Sequence, residues 1–378
     1  MGSGRLVGVD VARFLALAGM AAVHIFPAFD DDGSLHLSYQ VASGRSSALF
    51  ALLAGVSLVL ASRSRVPLSG PALRAAQSGS LARAALLFVV GMLLGAVNSP
   101  PLVILAYYAV LFAIGTLALG LSGRMLAVLA VVAAVVTPVL SQFLRQYVEP
   151  SPIGEPGGSD LLLELFLTGT YPALTWTTYL FAGMAVARTD LRQSVVALRL
   201  VVVGGVLAVL AKLTSAQLLA AVGGAAALTP PSFGDVQSAL AVGLFGTTPR
   251  EDWDWLTVSA PHSGTTFDLA HTTGTALLVL GGSLILARVV PKLLLLPLAA
   301  AGSMTLTLYT AHVLSVADGS PLLAMSPGTL WVVELIVGVA AATLWRLRVG
   351  QGPLEAVSAS AGRAGRALVG DRGDRVGA

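Results

Sequence analysis

The chain has 378 residues, of which 56% are hydrophobic and only 11% are charged, with a mean hydropathy of +0.84 and a formal net charge of +3. Soluble domains carry about a quarter charged residues, so this composition excludes a soluble globular protein. It predicts an all-α, polytopic integral membrane protein. The absence of cysteine excludes disulfide bonds, thiolate metal sites and a cysteine nucleophile.

Ten hydrophobic segments are long enough to cross a bilayer as helices. They are separated by polar turns, such as those at 98–101 and 122–124. The segments cover residues 9–29, 43–62, 81–97, 101–121, 125–147, 171–187, 195–222, 266–287, 293–316 and 328–346. We therefore expect residues 1–349 to form a bundle of about ten transmembrane helices.

The basic residues indicate how this bundle is oriented. If the N-terminus is cytoplasmic, 17 of the 22 lysines and arginines fall at cytoplasmic positions, as the positive-inside rule requires. Acidic clusters at 30–32, 149–164 and 251–254 then fall on the outside. The sequence predicts that both termini are cytoplasmic.

Two outer loops and the C-terminal tail lie outside the predicted spans. Loop 148–170 ends in an amphipathic run from Asp160 to Leu167, which we expect to lie in the membrane interface. Loop 223–265 contains a predicted helix at 235–246 and the Trp253/Trp255 pair, an interface anchor or a sugar-stacking site. The tail, 350–378, is predicted to be a cytoplasmic amphipathic helix that becomes disordered from about Gly370.

The first segment, Val9 to Phe29, carries three ionisable residues within a span-length apolar run. At about 100° per residue, Asp10, Arg13, Leu17, Met20 and His24 share one face of a helix, over roughly 21 Å. Ionisable side chains within a membrane span are costly unless they face protein or water, so this stripe is a candidate functional site. The alternative is a structural Asp10–Arg13 pair near the cytoplasmic surface, with His24 capping the outer end.

The five histidines share one side of the membrane in the predicted topology. Histidine is the side chain whose charge changes near neutral pH, which makes it a natural general base. The five lack the spacing of a zinc motif, so we expect no metal site. The histidines are His24, His36, His262, His271 and His312.

Other polar residues inside the predicted bundle have more than one interpretation. Glu334 is either a proton-relay carboxylate or the partner of Lys212 in an ion pair. Arg45 departs from the positive-inside pattern and either binds an anionic group or pairs with residues 30–32. The small residues between Ser43 and Gly55 predict a close approach of the second span to the first, which would bring Arg45 toward His24.

Several stretches resemble a known family. GRLVGVDVARFLALAGMAAVH, at 4–24, resembles the first helix of the transmembrane acyltransferase superfamily, in which an arginine is followed, after ten residues, by a histidine. SGRSSALFALLAGVSLVLASR (43–63) and YPALTWTTYLFAGMAVARTDL (171–191) are similar to bacterial relatives of heparan-alpha-glucosaminide N-acetyltransferase. Residues 261–278, 301–314 and 350–355 resemble the C-terminal part of the YeiB-like (DUF1624/DUF418) family.

The resemblance implies a membrane-bound acyltransferase. Cytosolic acyl-CoA, expected to be acetyl-CoA, would bind from the inner face, and a sugar amine or hydroxyl of a glycan or glycolipid would accept the acyl group at the outer face of the cell membrane. A histidine would act as general base or acyl carrier. No metal is implied, and the large apolar helices are compatible with a homodimer.

The resemblance also implies roles for individual residues. It places the catalytic histidine at His24, with Asp10 and Arg13 nearer the donor side. The lysosomal branch has Asn at the position of His24 and its histidine near the position of His36, so His36 is the second candidate for the base. The predicted acceptor-side residues are Arg45, Trp176, His262, His271 and His312. The arginines predicted from their location to bind CoA are Arg5, Arg63, Arg188 and Arg288.

A secondary transporter or flippase is the competing interpretation, since multiple spans with buried charges are typical of both classes. The sequence shows no convincing inverted repeat and no pair of broken hydrophobic segments, which favours the enzyme. Acyl-CoA-dependent CoA release, as opposed to substrate transport without acyl-CoA, would distinguish them.

Overall fold

The computed structural model describes residues 5–62, 64–148, 160–232 and 234–375, and it describes side chains in these ranges except at 160 and 370–375. Fifteen α-helices and no β-strand form within these ranges. The helices are α1 (Val7–Ile25), α2 (Leu37–Ala42), α3 (Arg45–Ala61), α4 (Gly70–Gly95), α5 (Leu105–Leu117), α6 (Gly123–Arg145), α7 (Asp160–Leu163), α8 (Ala173–Ala187), α9 (Ser194–Ala221), α10 (Val236–Val242), α11 (Thr266–Val289), α12 (Lys292–Gly302), α13 (Thr305–Ser315), α14 (Pro327–Arg348) and α15 (Pro353–Arg375).

Each of the ten predicted segments coincides with a helix or a helix pair. Among the described residues, seven helical stretches are long and apolar enough to cross a membrane, with α2 and α3 counted together as Leu37–Ala61. The bent pair α12–α13 is an eighth candidate, and α5 and α8 are shorter apolar helices. The all-α polytopic fold is confirmed, whereas the number of spans, their orientation and the domain boundaries stay predictions.

Helix α3 lies at the centre of the bundle and packs against α1, α5, α8 and α11. Its small residues allow two of these approaches, because Gly19 of α1 lies against Ser46 and Gly55 lies against the backbone of α8. Gly183 of α8 completes the second contact, since a Cβ there would lie 1.9 Å from the carbonyl oxygen of Leu52. The predicted small-residue surface therefore serves two neighbouring helices.

The ninth predicted segment is not one continuous helix. The axes of α12 and α13 differ by 61° across a break at Ser303 and Met304. At this break α12 lies so close to α1 that a Cβ on Gly302 would be 1.7 Å from the carbonyl oxygen of Asp10. The expectation of an unbroken span is thus wrong, and the break places the start of α13 inside the bundle.

The tail forms helix α15, which packs along α4. Gly79 of α4 and Gly362 and Gly365 of α15 bring the two backbones together, and Ser78 Oγ donates to the carbonyl of Gly365 over 2.6 Å. Residues 376–378, the end of the segment predicted to be disordered, lie outside the described residues. The described part of the tail therefore belongs to the packed structure.

The second outer loop has its own small core. Trp255 is fully buried with Leu228, Leu244 and Val258, and its Nε1 donates to the carbonyl of Thr229. Trp255 is therefore neither an interface anchor nor an open sugar platform, whereas Trp253 is 42% exposed. The predicted helix at 235–246 is present but shorter, at Val236–Val242.

Of the first outer loop, residues 148 and 160–170 are described. The predicted amphipathic run forms α7 followed by a short π-helix at Glu164–Thr168. The rest of this loop, residues 149–159, lies outside the described residues.

We predict that Gly183→Ala destabilises the protein, although alanine favours a helix over glycine by about 1 kcal/mol. The added methyl group would overlap the Leu52 carbonyl oxygen and force α3 and α8 apart, at a cost of about 1–3 kcal/mol. The thermal unfolding midpoint in detergent is the measurement. Gly282→Ala is the matched control, because nothing lies within 4 Å of that position. Equal midpoints for the two variants would contradict the close approach.

Candidate functional site

A cavity of about 1030 Å³ opens where the N-terminal residues, the end of α14 and helix α15 meet. In the predicted topology this is the cytoplasmic side. Its walls are largely apolar, and four arginines line it. The arginines are Arg5, Arg13, Arg83 and Arg346, and the apolar residues include Phe50, Leu53, Leu87, Leu105 and Phe112.

Asp10 holds two of these arginines together. Arg5 Nε donates to Asp10 Oδ2 over 2.6 Å, and Arg13 Nη1 donates to Asp10 Oδ1 over 3.2 Å. Arg13 Nη2 also donates to Ser57 Oγ over 2.5 Å, which ties α1 to α3. Two cations share one buried carboxylate, so this part of the cavity keeps a net positive charge that favours an anionic ligand.

The start of α13 forms another part of the cavity wall. Thr305, Leu306 and Glu355 line the cavity. Glu355 of α15 accepts the backbone N–H groups of Leu306 and Thr307 over 2.8 and 3.1 Å, and the hydroxyl of Thr307 over 2.6 Å. These bonds satisfy donors that the break in the helix would otherwise leave without partners.

Tyr309 is the last residue of α13 that lines the cavity. It is buried beside Tyr108, and its hydroxyl accepts the backbone N–H of Ile104 over 3.3 Å. His312 follows three residues later on the same face of α13, about 4.5 Å further along the helix. The cavity therefore ends about one helical turn from a histidine.

His312 is the centre of a hydrogen-bonded relay, formed by His24 of α1, His312 of α13 and Glu334 of α14. Its Nδ1 lies 2.8 Å from Glu334 Oε2, and its Nε2 lies 3.1 Å from His24 Nδ1. The two imidazole rings are stacked, with centroids 5.3 Å apart and an interplanar angle of 12°. The hydroxyl of Ser315 donates to the other oxygen of Glu334.

These hydrogen bonds indicate which ring nitrogen of each histidine carries the proton. An ionised Glu334 is only an acceptor, so Nδ1 of His312 carries a proton and its Nε2 accepts. Nδ1 of His24 is then the donor to His312, which leaves the Nε2 lone pair of His24 free. A carboxylate that orients a histidine in this way is the arrangement by which proteins prepare a general base. It also answers one open question, because Glu334 pairs with His312 and Lys212 donates instead to the carbonyl of Ser259.

His36, the second candidate for the base, is engaged differently. It caps helix α2, where its Nδ1 accepts the backbone N–H of Ser38 and lies 2.8 Å from that residue's hydroxyl. Its Nε2 lies 3.8 Å from Asp30, and its ring stacks on Phe26. Both ring nitrogens of His36 thus face groups of its own loop.

His262 lies in an aromatic cluster with Tyr171 and Trp176. Its ring centroid is 5.7 Å from that of Tyr171 and 6.5 Å from that of Trp176. Its φ of +54° is the only positive value for a non-glycine residue in the described ranges, and its Nδ1 is buried without a hydrogen-bond partner. Burial lowers the pKa of His262 to about 4, so the ring is neutral at pH 7.

Arg45 and His271 form a separate polar cluster. Arg45 Nε donates to His271 Nε2 over 3.2 Å, and His271 Nδ1 lies 3.0 Å from the carbonyl of Ala208. Arg45 Nη1 donates to the carbonyl of Gln40, and within the described chain Arg45 forms no ion pair with residues 30–32. The predicted acceptor-side residues therefore fall into three groups: His312 in the relay, His262 with Trp176, and Arg45 with His271.

Of the arginines predicted to bind CoA, Arg5 lines the cavity and two others do not. Arg188 donates to the carbonyls of Ser64, Val66 and Leu119, and Arg288 donates to that of Leu191. Arg63 lies outside the described residues.

Four other residues that line the cavity were not predicted as site residues: Arg83, Tyr309, Arg346 and Glu355. Arg83 and Arg346 are among the arginines that the positive-inside rule places on the cytoplasmic side, and Tyr309 and Glu355 lie in stretches that carry the family resemblance. The sequence alone does not show that all four line one cavity. Among the described residues, no group of three His, Cys, Asp or Glu side chains is arranged to hold a metal ion.

We predict that His262 makes stability depend on pH below neutrality. Between its ordinary pKa of about 6.5 and its folded pKa of about 4, the unfolded chain takes up a proton that the folded chain does not. The free energy of unfolding should therefore fall as the pH drops through this window. His262→Asn removes the proton while tolerating the positive φ. The variant should lose less of its thermal unfolding midpoint between pH 7.5 and pH 5 than the wild type; equal losses would contradict the assignment.

Comparison with known proteins agrees with the resemblance seen in the sequence. A search of curated proteins gives no match. The family described as heparan-alpha-glucosaminide N-acetyltransferase, catalytic, matches residues 5–226, which are more than half of the chain. This region includes Asp10, Arg13, His24 and His36, whereas His312 and Glu334 follow it. The chain therefore belongs to the heparan-alpha-glucosaminide N-acetyltransferase catalytic family, whose members are membrane N-acetyltransferases.

Proposed function

We propose that the protein transfers an acetyl group from acetyl-CoA, held in the arginine-lined cavity, to a sugar amine or hydroxyl at the opposite, outer face of the cell membrane. The observation that carries this proposal is the position of the cavity relative to the relay. Tyr309, which lines the cavity, and His312 in the relay are one turn apart on α13. A thioester that reaches Tyr309 from the cavity is thus brought close to His24.

The donor site follows from the charge and the polarity of the cavity walls. Arg5, Arg13 and Arg346 provide positive charge on its wall; Arg5 and Arg13 share the carboxylate of Asp10, and Glu355 is the one acidic residue in the described part of the chain that lines the cavity. Guanidinium groups bind phosphate through paired hydrogen bonds, which suits the diphosphate of CoA. The apolar residues beyond them suit the pantetheine arm and the acetyl group.

The relay supplies the base for the transfer step. Nε2 of His24 removes a proton from the acceptor as its nitrogen or oxygen attacks the thioester carbonyl. The C–S bond then breaks, and the sulfur of CoA leaves as a thiolate that takes up a proton. Glu334, acting through His312, stabilises the positive charge that develops on the histidine pair.

The acceptor site lies on the far side of the relay. Arg45 beside His271 offers a cation, and the half-buried His262 offers a fixed polar ring. Trp176 and Tyr171 are buried behind His262 and hold its ring in place. Fixed hydrogen-bonding groups are the usual means by which proteins orient small polar ligands. We assign Arg45, His262 and His271 to the recognition of the glycan acceptor, with Trp176 and Tyr171 as their support.

The first test concerns the base. His24→Gln should lower kcat by about 10²- to 10⁴-fold, because glutamine cannot accept the proton. The assay is CoA release from acetyl-CoA by purified protein in nanodiscs, with amino sugars and glycans as acceptors. His36→Gln is the matched control and should retain most of the activity. The reverse result would assign the base to His36, and accumulation of an acetylated wild-type protein without acceptor would make His24 an acyl carrier.

The second test concerns the carboxylate of the relay. Glu334→Gln should lower kcat by about a hundredfold or more, since an amide cannot stabilise the charged histidine pair. The KM for acetyl-CoA should stay the same, because Glu334 does not line the cavity. Glu164→Gln is the matched control, because Glu164 contacts Tyr107 and is not part of the relay. A change confined to KM would contradict the proposed role.

A further inference from the structure

Three arginines gather where α4 and α15 cross, and none of them has a carboxylate partner among the described side chains. They are Arg83 of α4 and Arg363 and Arg366 of α15, close enough for their charges to repel one another. Like charges are normally kept apart or neutralised in a folded protein. Their clustering without a counter-charge indicates that an anion completes the group.

The crossing of the two helices holds these arginines in place. Arg83 lies across Gly362, where a Cβ would come within 2.4 Å of its Nε, and Arg366 lies across Gly79, where a Cβ would come within 2.9 Å of its Nε. Each helix thus places an arginine over a glycine of the other. The arrangement holds two guanidinium groups in place by contact with the backbone of the opposite helix.

The hydrogen bonds of the three arginines are incomplete. Nε of Arg83 is buried and has no hydrogen-bond partner. Arg366 donates to the carbonyl of Ala61, and Arg363, which is exposed, donates to Ser360 on its own helix. A buried donor without a partner is costly, so a ligand that accepts a hydrogen bond from Arg83 would be favoured there.

The cluster adjoins the donor cavity. Arg83 lines the cavity, together with Ser358 and Ala359 on the turn of α15 that precedes Arg363. Of the other three arginines of the cavity, Arg5 and Arg13 lie around Asp10 on α1. The cavity therefore has positive charge both around Asp10 and where α4 meets α15.

We propose that Arg83, Arg363 and Arg366 form a phosphomonoester site that binds the 3′-phosphate of the CoA ribose. This inference rests on the proposed function, in which Arg5, Arg13 and Arg346 bind the diphosphate. A terminal phosphate carries more charge and has more acceptor oxygens than a diester, which suits three guanidinium groups. The C-terminal helix thus becomes part of the donor site and distinguishes CoA from analogues that lack this phosphate.

The test compares CoA with 3′-dephospho-CoA on the full-length protein in nanodiscs. Calorimetry gives the Kd of each nucleotide, and CoA release gives the KM of each acetylated form. Charge-assisted hydrogen bonds of this kind should make wild-type binding of CoA about tenfold to hundredfold tighter. Arg83→Gln and Arg363→Gln should each reduce that preference severalfold and leave the Kd of 3′-dephospho-CoA unchanged. Arg363 is exposed, so its variant tests the site without disturbing the helix crossing.

Arg74→Gln is the matched control, because Arg74 is exposed on α4 and does not line the cavity. It should leave the preference for CoA intact. Variants that weaken both nucleotides equally, or neither, overturn the assignment. If they change only the response of activity to anionic lipid, the phosphate belongs to a lipid headgroup and the assignment is also wrong. If the wild type binds neither nucleotide, the proposed function itself fails.

Discussion

The hydrogen bonds that Glu355 accepts allow a helix to begin in the middle of the bundle. Backbone N–H groups inside a membrane must have partners, and the first residues of α13 have none within their own helix. Glu355 accepts two of them together with the hydroxyl of Thr307. The break between α12 and α13 is therefore sustained by a residue that lies almost 50 positions later and belongs to the tail.

The geometry of the site follows from that break. The 61° change of direction places Thr305 and Tyr309 against the cavity and His312 against His24 and Glu334. The same carboxylate anchors the start of α15, whose later turns meet α4 at the arginine cluster. One capping interaction thus links the relay, the cavity wall and the C-terminal helix.

Much of this organisation could be predicted from periodicity and composition. The ten segments follow from hydrophobic runs, and the stripe of Asp10, Arg13, Leu17, Met20 and His24 follows from the helical period. In the structure Asp10, Leu17 and Met20 are buried, Arg13 lines the cavity and His24 contacts His312. Local sequence is sufficient for such features because they depend on a single helix.

The relationships between helices could not be predicted in the same way. Glu334 had Lys212 as an equally good partner in the sequence, and only the packing of α14 beside α13 brings it to His312. Arg188 and Arg288 were equivalent to Arg83 and Arg346 as cytoplasmic arginines, but they bind backbone carbonyls instead. The composition predicts on which side of the membrane a residue lies. Which helices that residue faces depends on how the helices pack, for example through the close contacts at Gly79 and Gly302.

The division of polar groups along α1 has a consequence for how an acetyl group would cross the membrane. Arg13 lines the cavity and His24 belongs to the relay, and the eleven steps from one to the other make roughly 16 Å along the helix. On α13 the cavity wall runs from Thr305 to Tyr309, one turn short of His312. In the proposed function, the large, charged part of CoA therefore stays beside the arginines, and only its thin, apolar arm has to reach the histidines. A fixed bundle with a one-sided cavity is sufficient for this transfer, whereas a transporter would have to expose the same site to both sides.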